Sequence, residues 1–104
     1  MPKFMIAYHG GNRPSSPEEG KTHMENWKKW IADLGDTVIN PGTPLPTSKI
    51  VTNNGVEDDS NANAMNGFAV ISVETFEQAI EIAKSDPFLK MEGTIRVSQM
   101  MEMN

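Results

Sequence analysis

The fold of the chain is decided by the stretch KFMIAYHGGNRPSSPEEGKTHMENWKKW, which spans residues 3–30. Its beginning predicts a strand over residues 3–9, because apolar side chains occupy both sets of alternating positions. A strand that is apolar on both sides is typical of the middle of a sheet. A pair of glycines ends the strand, and a helix follows after a short loop. The chain has two histidines, His9 and His23, and both lie in this unit, so we expect the fold to bring them near each other.

The helix of this unit has a clear beginning in the sequence. Ser16 is suited to cap it, Pro17 suits its first position, and Glu19 stands where a capping box needs an acid. Apolar residues then recur with the 3.6-residue period of one buried face. We therefore predict a helix over residues 17–34. The apolar positions are Met24, Trp27, Ile31 and Leu34.

The remainder of the chain predicts a second, similar unit. Residues 37–39 form a short strand, and the prolines that follow exclude a central strand there. Asn53-Asn54-Gly55 is typical of the turn of a hairpin between two short strands. The last elements are a strand, a helix and a strand, at residues 67–73, between Thr75 and Asp86-Pro87, and at residues 94–101.

This order of elements is the ferredoxin-like βαββαβ arrangement, an α+β fold with an antiparallel sheet and, here, an extra hairpin arm. We assign residues 1–104 to a single domain of this type. Two helices cover one face of such a sheet, although the strands are apolar on both faces. The other face therefore needs a partner, and a second copy of the chain is the simplest one, which predicts a homodimeric barrel. A hydrophobic fraction of 38% agrees with a chain that buries further surface by association.

Composition excludes several classes of function. The net charge of −5 argues against binding to nucleic acid or to an anionic membrane. Without cysteine, the chain has no disulfide, no catalytic thiol and no thiolate ligand for zinc. No apolar run is long enough to span a membrane, so we expect a soluble cytoplasmic protein. No motif supplies a third metal ligand beside His9 and His23 or a phosphate-binding loop, so we expect neither a metal nor a cofactor.

Several short motifs follow one another along the chain in a specific order and spacing. They are Ser16–Glu19, His23-Met24, Trp27–Trp30, Leu34-Gly35, Gly67-Phe68, Phe76–Lys84, Asp86–Leu89, Gly93–Val97 and the tail Met100–Met103. Together they resemble the YCII-related, or DGPF-domain, proteins over almost the whole chain. The resemblance implies a dimeric α/β barrel, in agreement with the two apolar faces of the sheet.

One signature of that family is altered in this chain. The Asp-Gly-Pro-Phe that names the family falls near Asp58, where the sequence is Asp58-Asp59-Ser60-Asn61. Some members resemble cofactor-independent lyases that act on aromatic compounds, including a dehydrochlorinase. In such sites the suspected catalytic pair is a histidine on the first helix and an acid at the end of the first strand. His23 matches the histidine, and His9 occupies the position of the acid.

His23 is the first candidate for catalysis. It lies four residues after Glu19, so the two side chains share a face of the helix. A carboxylate there could hold one ring nitrogen and leave the other free to act as an acid or a base. The alternative is a surface histidine beside a capping glutamate, or a histidine at the edge of the core next to Trp27. Both interpretations are open from the sequence.

The other candidates lie where loops gather at one end of the predicted sheet. We expect His9 and Asp58 to assist His23 in catalysis. Each candidate has a structural alternative: a solvated strand end for His9, a helix-end turn for Asp86 and core packing for Trp27. The residues predicted to bind the substrate are Tyr8, Gly10, Trp27 and Asp86.

Two functions follow from these candidates. The first is a small enzyme without a cofactor that transfers a proton in an elimination or isomerisation of a small substrate, for which an aromatic compound is one candidate. The second is a non-catalytic barrel that binds a small apolar or aromatic ligand or serves only for assembly. The lost Gly-Pro-Phe after Asp58 and the histidine in place of an acid at His9 favour the second, and the spacing of Glu19 and His23 favours the first.

Overall fold

Four strands form one antiparallel sheet in the computed structural model of the protein, which describes residues 1–103. The sheet order is β2-β5-β1-β6, and β3 and β4 form a separate hairpin. This is the predicted ferredoxin-like βαββαβ fold with an extra arm, and the prediction is confirmed. The elements are β1 Lys3–Gly10, α1 Pro17–Leu34, β2 Val38–Pro44, β3 Lys49–Thr52, β4 Gly55–Asp58, β5 Met65–Ser72, α2 Phe76–Lys84 and β6 Gly93–Gln99, with short 3-10 turns at Gly35–Thr37 and Pro87–Met91.

The core lies between the sheet and α2. β1 is central, as its two apolar sides predict, and it pairs with β5 and β6. Phe4 and Ile6 are fully buried, as is Ile71 on β5. The Phe4 ring meets the edge of Phe76 on α2, with ring centroids 5.2 Å apart. This face of the sheet is therefore the one that the helices cover.

The opposite face of the sheet has no helix over it within residues 1–103. Met5 lies opposite Val70 and Ser98 on the neighbouring strands, so all three share that face. Met5 and Val70 are only half-buried, and Ile39 on β2 is 52% exposed. The shortest dimension of the chain, 18 Å, corresponds to one helix layer on one sheet layer.

The hairpin arm of β3 and β4 stands apart from the sheet. Every residue of the two strands is exposed. Val51 lies opposite Val56 across the arm, and the two are 74% and 66% exposed. A two-stranded hairpin is marginally stable alone, so the arm contributes little to the core.

Most predicted boundaries agree with the structure, and β2 is longer than predicted. It continues through Pro41 to Pro44 because it is an edge strand that pairs with β5 alone. A proline at an edge removes no hydrogen bond from the middle of the sheet. No helix among residues 1–103 is long and apolar enough to cross a membrane.

The caps of the two helices differ in detail. Thr75 and Gln78 form the predicted capping box at α2. At α1 the Ser16 hydroxyl accepts a hydrogen bond from the Glu19 N–H, but the Glu19 carboxylate accepts from the backbone and hydroxyl of Ser15. The reciprocal bond therefore lies one residue earlier than in a capping box, because Ser15 offers two donors together.

Candidate functional site

A cavity of about 370 Å³ lies between α1 and the sheet. Residues of β1, α1, β2, β5 and the turn after α2 all contribute to it. Its lining is mainly apolar, with polar side chains from several elements. The apolar residues that line it are Met24, Trp27, Pro44, Phe68 and Phe88, and the polar ones are Tyr8, His23, Thr43, Asn66 and Asp86.

A hydrogen-bonded pair, Tyr8 and Asp86, forms the polar part of this cavity. The Tyr8 hydroxyl donates to Asp86 Oδ2 at 2.6 Å. The other carboxylate oxygen, Oδ1, accepts from the backbone N–H of Phe88 at 2.9 Å, as the cap of the 3-10 turn. Asp86 is 3% exposed and is the buried charged residue of the core region. Two fixed donors therefore hold this carboxyl group in one orientation.

The surroundings of the pair change its acidity. Burial is the largest influence on Asp86 and raises the pKa of its carboxyl group, while the hydrogen bonds from Tyr8 and Phe88 and the charge of His23 lower it. The pKa of the Tyr8 hydroxyl is also raised, first by burial, then by the charge of Asp86 and the hydrogen bond to it. Tyr8 therefore keeps its proton, and Asp86 binds a proton at a higher pH than an ordinary aspartate.

His23 reaches the cavity from α1, one turn before Trp27, and both side chains are half-buried. The buried tryptophan of α1 is Trp30, which is 8% exposed and donates its Nε1–H to Ser85 Oγ at 2.9 Å. Trp30 is thus the buried tryptophan that ties α1 to the end of α2, whereas Trp27 is half-buried and lines the cavity.

The arrangement supports proton transfer to or from a small molecule. Asp86 and His23 are two groups that exchange protons, and both line the same cavity. Trp27 and Phe88 provide flat apolar surfaces on which a ring could lie. Within residues 1–103, no three histidine, aspartate or glutamate side chains come together in a way that could hold a metal ion.

The structure brings together four of the seven residues that the sequence predicts for the site. Tyr8, His23, Trp27 and Asp86 line the cavity. Gly10 lines a neighbouring hollow of about 430 Å³, which shares Asn66 with the cavity.

Three predicted features lie elsewhere. His9 Nδ1 is 3.1 Å from the Asn63 carbonyl oxygen, and its buried Nε2 has no hydrogen-bond partner among the described residues. Asp58 lies on the hairpin arm, paired with Lys49, and its side chain is 79% exposed. The Glu19 carboxylate bonds Ser15, so it does not serve as the predicted support for His23.

Phe88 and Asn66 also line the cavity, and neither is among the site residues predicted from the sequence. Phe88 belongs to the motif Asp86–Leu89, so the sequence places it in the turn after α2. The sequence does not indicate that its side chain points toward the cavity. Asn66 lies at the start of β5 in a polar stretch, and no local pattern distinguishes it from its neighbours.

The sequence matches no protein-family model and no curated protein. The fold is similar to that of a solved structure, the 5-chloro-2-hydroxyhydroquinone dehydrochlorinase (TftG) from Burkholderia phenoliruptrix AC1100 in complex with 2,5-dihydroxybenzoquinone. The TM-score is 0.60 at 16% sequence identity, over 97% of this chain and 95% of that chain. At this identity the likeness shows a common fold. The similar structure is that of an enzyme with a bound small molecule.

Proposed function

We propose that the protein is a small enzyme without a cofactor that transfers a proton on a small aromatic or enol-type substrate. The observation that carries the proposal is the buried Asp86, bonded to Tyr8 in a cavity that His23 also lines. A buried carboxyl group with a raised pKa is common at sites of acid–base chemistry. The likeness to a dehydrochlorinase of the same fold is compatible with this function.

In the proposed reaction, one of the two groups removes a proton from the substrate and the other protonates it or a departing group. His23 acts as the general acid or base, as the resemblance to the YCII-related proteins implies. Asp86 takes the place of the acid expected at the end of β1, because Tyr8 brings its carboxyl group to that position. Trp27 packs against the ring of the substrate.

The experiment compares matched variants on one chlorinated quinol. The purified protein is incubated with 5-chloro-2-hydroxyhydroquinone, the compound named for the similar dehydrochlorinase, and chloride release is measured. His23→Ala and Asp86→Asn should each slow release about 100-fold or more, because each removes a proton-transfer group. His9→Ala and Asp58→Asn are the matched controls, because they change a histidine and an aspartate that lie outside the cavity.

The outcomes distinguish a site made of the cavity residues from a site that also includes His9 and Asp58. If release depends on His23 and Asp86 and not on the other two, the cavity is the site. If His9→Ala or Asp58→Asn abolishes release, the wider set predicted from the sequence is the site. Activity that survives both His23→Ala and Asp86→Asn contradicts the proposal.

The second candidate function is non-catalytic binding of a small aromatic ligand. The apolar lining of the cavity favours it, because such a lining retains a ring without any chemistry. Titration with 2,5-dihydroxybenzoquinone, followed by Trp27 fluorescence against a Trp27→Phe variant, measures binding directly. Binding of 2,5-dihydroxybenzoquinone without any release of chloride from 5-chloro-2-hydroxyhydroquinone would favour this function.

We further propose that the chain is a divergent member of the YCII-related proteins and forms a homodimer. The uncovered sheet face that carries the half-buried Met5 and Val70 supports a second copy as the partner. Light scattering should then give twice the mass of one chain. Met5→Lys should give monomers, while Val56→Lys on the hairpin arm should leave the dimer intact. A wild-type monomer would contradict the proposal.

A further inference from the structure

We propose that Phe88 is a positioning residue, held in a slot between Gly11 and Gly93, that keeps Asp86 turned toward Tyr8. The effect of Phe88 on catalysis rests on the proposed function. The packing of Phe88 in the slot is independent of that function. The slot is formed where β1 ends and β6 begins, since Gly10 pairs with Gly93 across the two strands.

The slot exists because neither glycine has a side chain. A Cβ at Gly93 would overlap the Phe88 ring and lie 2.5 Å from its Cζ. A Cβ at Gly11 would lie 3.0 Å from the same Cζ, and Gly11 also has a φ of +88°, which L side chains rarely adopt. The ring of Phe88 therefore occupies the volume that two side chains would otherwise fill.

The slot acts on the cavity through the turn that carries Asp86. The Phe88 backbone N–H bonds one oxygen of Asp86, and the Phe88 ring meets the edge of Tyr8 with ring centroids 4.9 Å apart. Tyr8 bonds the other oxygen of Asp86. The turn is also tied to the end of β1, because the Asn12 N–H donates to the Met91 carbonyl at 2.6 Å. A displaced Phe88 ring would thus move both groups that hold the carboxyl group.

Gly93→Ala tests the slot by adding one methyl group. It is a cleaner change than Gly11→Ala, because the backbone of Gly93 does not have a positive φ and the effect is steric. The chain has one tyrosine, so the alkaline titration of tyrosinate absorbance reports on Tyr8 alone. In the wild type the pKa of Tyr8 should lie above the ordinary value of about 10.

Gly93→Ala should return the pKa of Tyr8 toward that ordinary value, because the hydroxyl loses Asp86 and gains solvent. Phe88→Leu takes the ring out of the slot and away from Tyr8, so it should also lower the pKa of Tyr8 toward the ordinary value. The double variant Gly93→Ala/Phe88→Leu should titrate as Phe88→Leu does, because the added methyl group no longer has a ring to displace. Gly20→Ala is the matched control, since its Cβ would meet Pro14 at an ordinary 3.5 Å outside the cavity.

Each outcome decides the inference. A lowered pKa of Tyr8 in both single variants, with a double variant that titrates as Phe88→Leu does, supports it. An unchanged Tyr8 titration in Phe88→Leu, or in a folded Gly93→Ala, overturns it. Chloride release is recorded on the same samples. A chain that releases no chloride in any variant but shows this titration pattern refutes the proposed function and leaves the slot standing.

Discussion

The turn after α2 and the hairpin arm each present an aspartate, and the two settings differ in burial and in partners. Asp86 is 3% exposed and accepts hydrogen bonds from Tyr8 and from the Phe88 N–H. The side chain of Asp58 is 79% exposed and pairs with Lys49, which is itself 58% exposed. The chemistry of each aspartate is therefore set by the groups that surround it and not by its place in the sequence.

The largest effect is expected from removing each carboxyl group in turn. Asp86→Ala leaves the Tyr8 hydroxyl and the Phe88 N–H without an acceptor, and should lower the free energy of unfolding by about 3 kcal/mol. Asp58→Ala should change it by less than about 0.5 kcal/mol, because an exposed ion pair contributes little. Urea denaturation monitored by tryptophan fluorescence measures both. An equal loss of unfolding free energy in Asp86→Ala and Asp58→Ala would contradict the difference between the buried and the exposed aspartate.

Tyr8→Phe should have the next largest effect. It removes the donor to Asp86 Oδ2 and should lower the free energy of unfolding by about 1.5 kcal/mol. The hydrogen bond from Tyr8 lowers the pKa of Asp86, so its loss should raise that pKa further. Carboxyl carbon NMR through a pH titration measures the shift. A lower Asp86 pKa in Tyr8→Phe would show that the hydroxyl does not stabilise the carboxylate.

The dependence of stability on pH should distinguish the two aspartates more finely. Because the pKa of Asp86 is raised on folding, the folded chain binds this proton more tightly than the unfolded chain. The stabilisation that results is complete below the unfolded pKa, about 3.9, and is lost as pH rises through the folded pKa of Asp86.

The measurement is the difference in unfolding free energy between the wild type and Asp86→Asn at a series of pH values. The wild type should lose stability relative to this variant as pH rises through that window. The same series with Asp58→Asn provides the comparison on the exposed arm. A wild type that instead gains stability relative to Asp86→Asn as pH rises would contradict the raised pKa.

The smallest effect on stability is expected at His23. The side chain is half-buried at the cavity wall, so His23→Ala should change the unfolding free energy by less than about 0.5 kcal/mol. Its charge lowers the pKa of Asp86, so the variant should raise that pKa slightly. Thermal denaturation and the carboxyl titration measure the two effects. A large loss of stability would identify His23 as a core residue and count against its role in catalysis.

The order of elements could be predicted from the sequence because the signals are local. Apolar residues on both sides of β1, the Ser16 and Thr75 caps and the turn at Asn53–Gly55 each act over a few residues. The antiparallel order of the sheet followed from those elements.

The cavity could be predicted only in part, because its contacts join distant residues. The bond between Tyr8 and Asp86 spans 78 positions, and no local pattern encodes it. Trp27 and Trp30 are three residues apart on one helix, and only the packing of Trp30 against Ser85 shows which of them is buried. The Glu19–His23 spacing allowed a contact that the nearer donors of Ser15 prevent.

The prolines of β2 have a consequence for how copies of this chain can meet. β2 forms one edge of the sheet, and Pro41 and Pro44 have no N–H to offer a further strand. This edge is therefore a poor template for an added strand, which disfavours edge-to-edge growth of the sheet at β2. On this side of the sheet, the broad uncovered face is more open to another copy than the edge that carries the prolines.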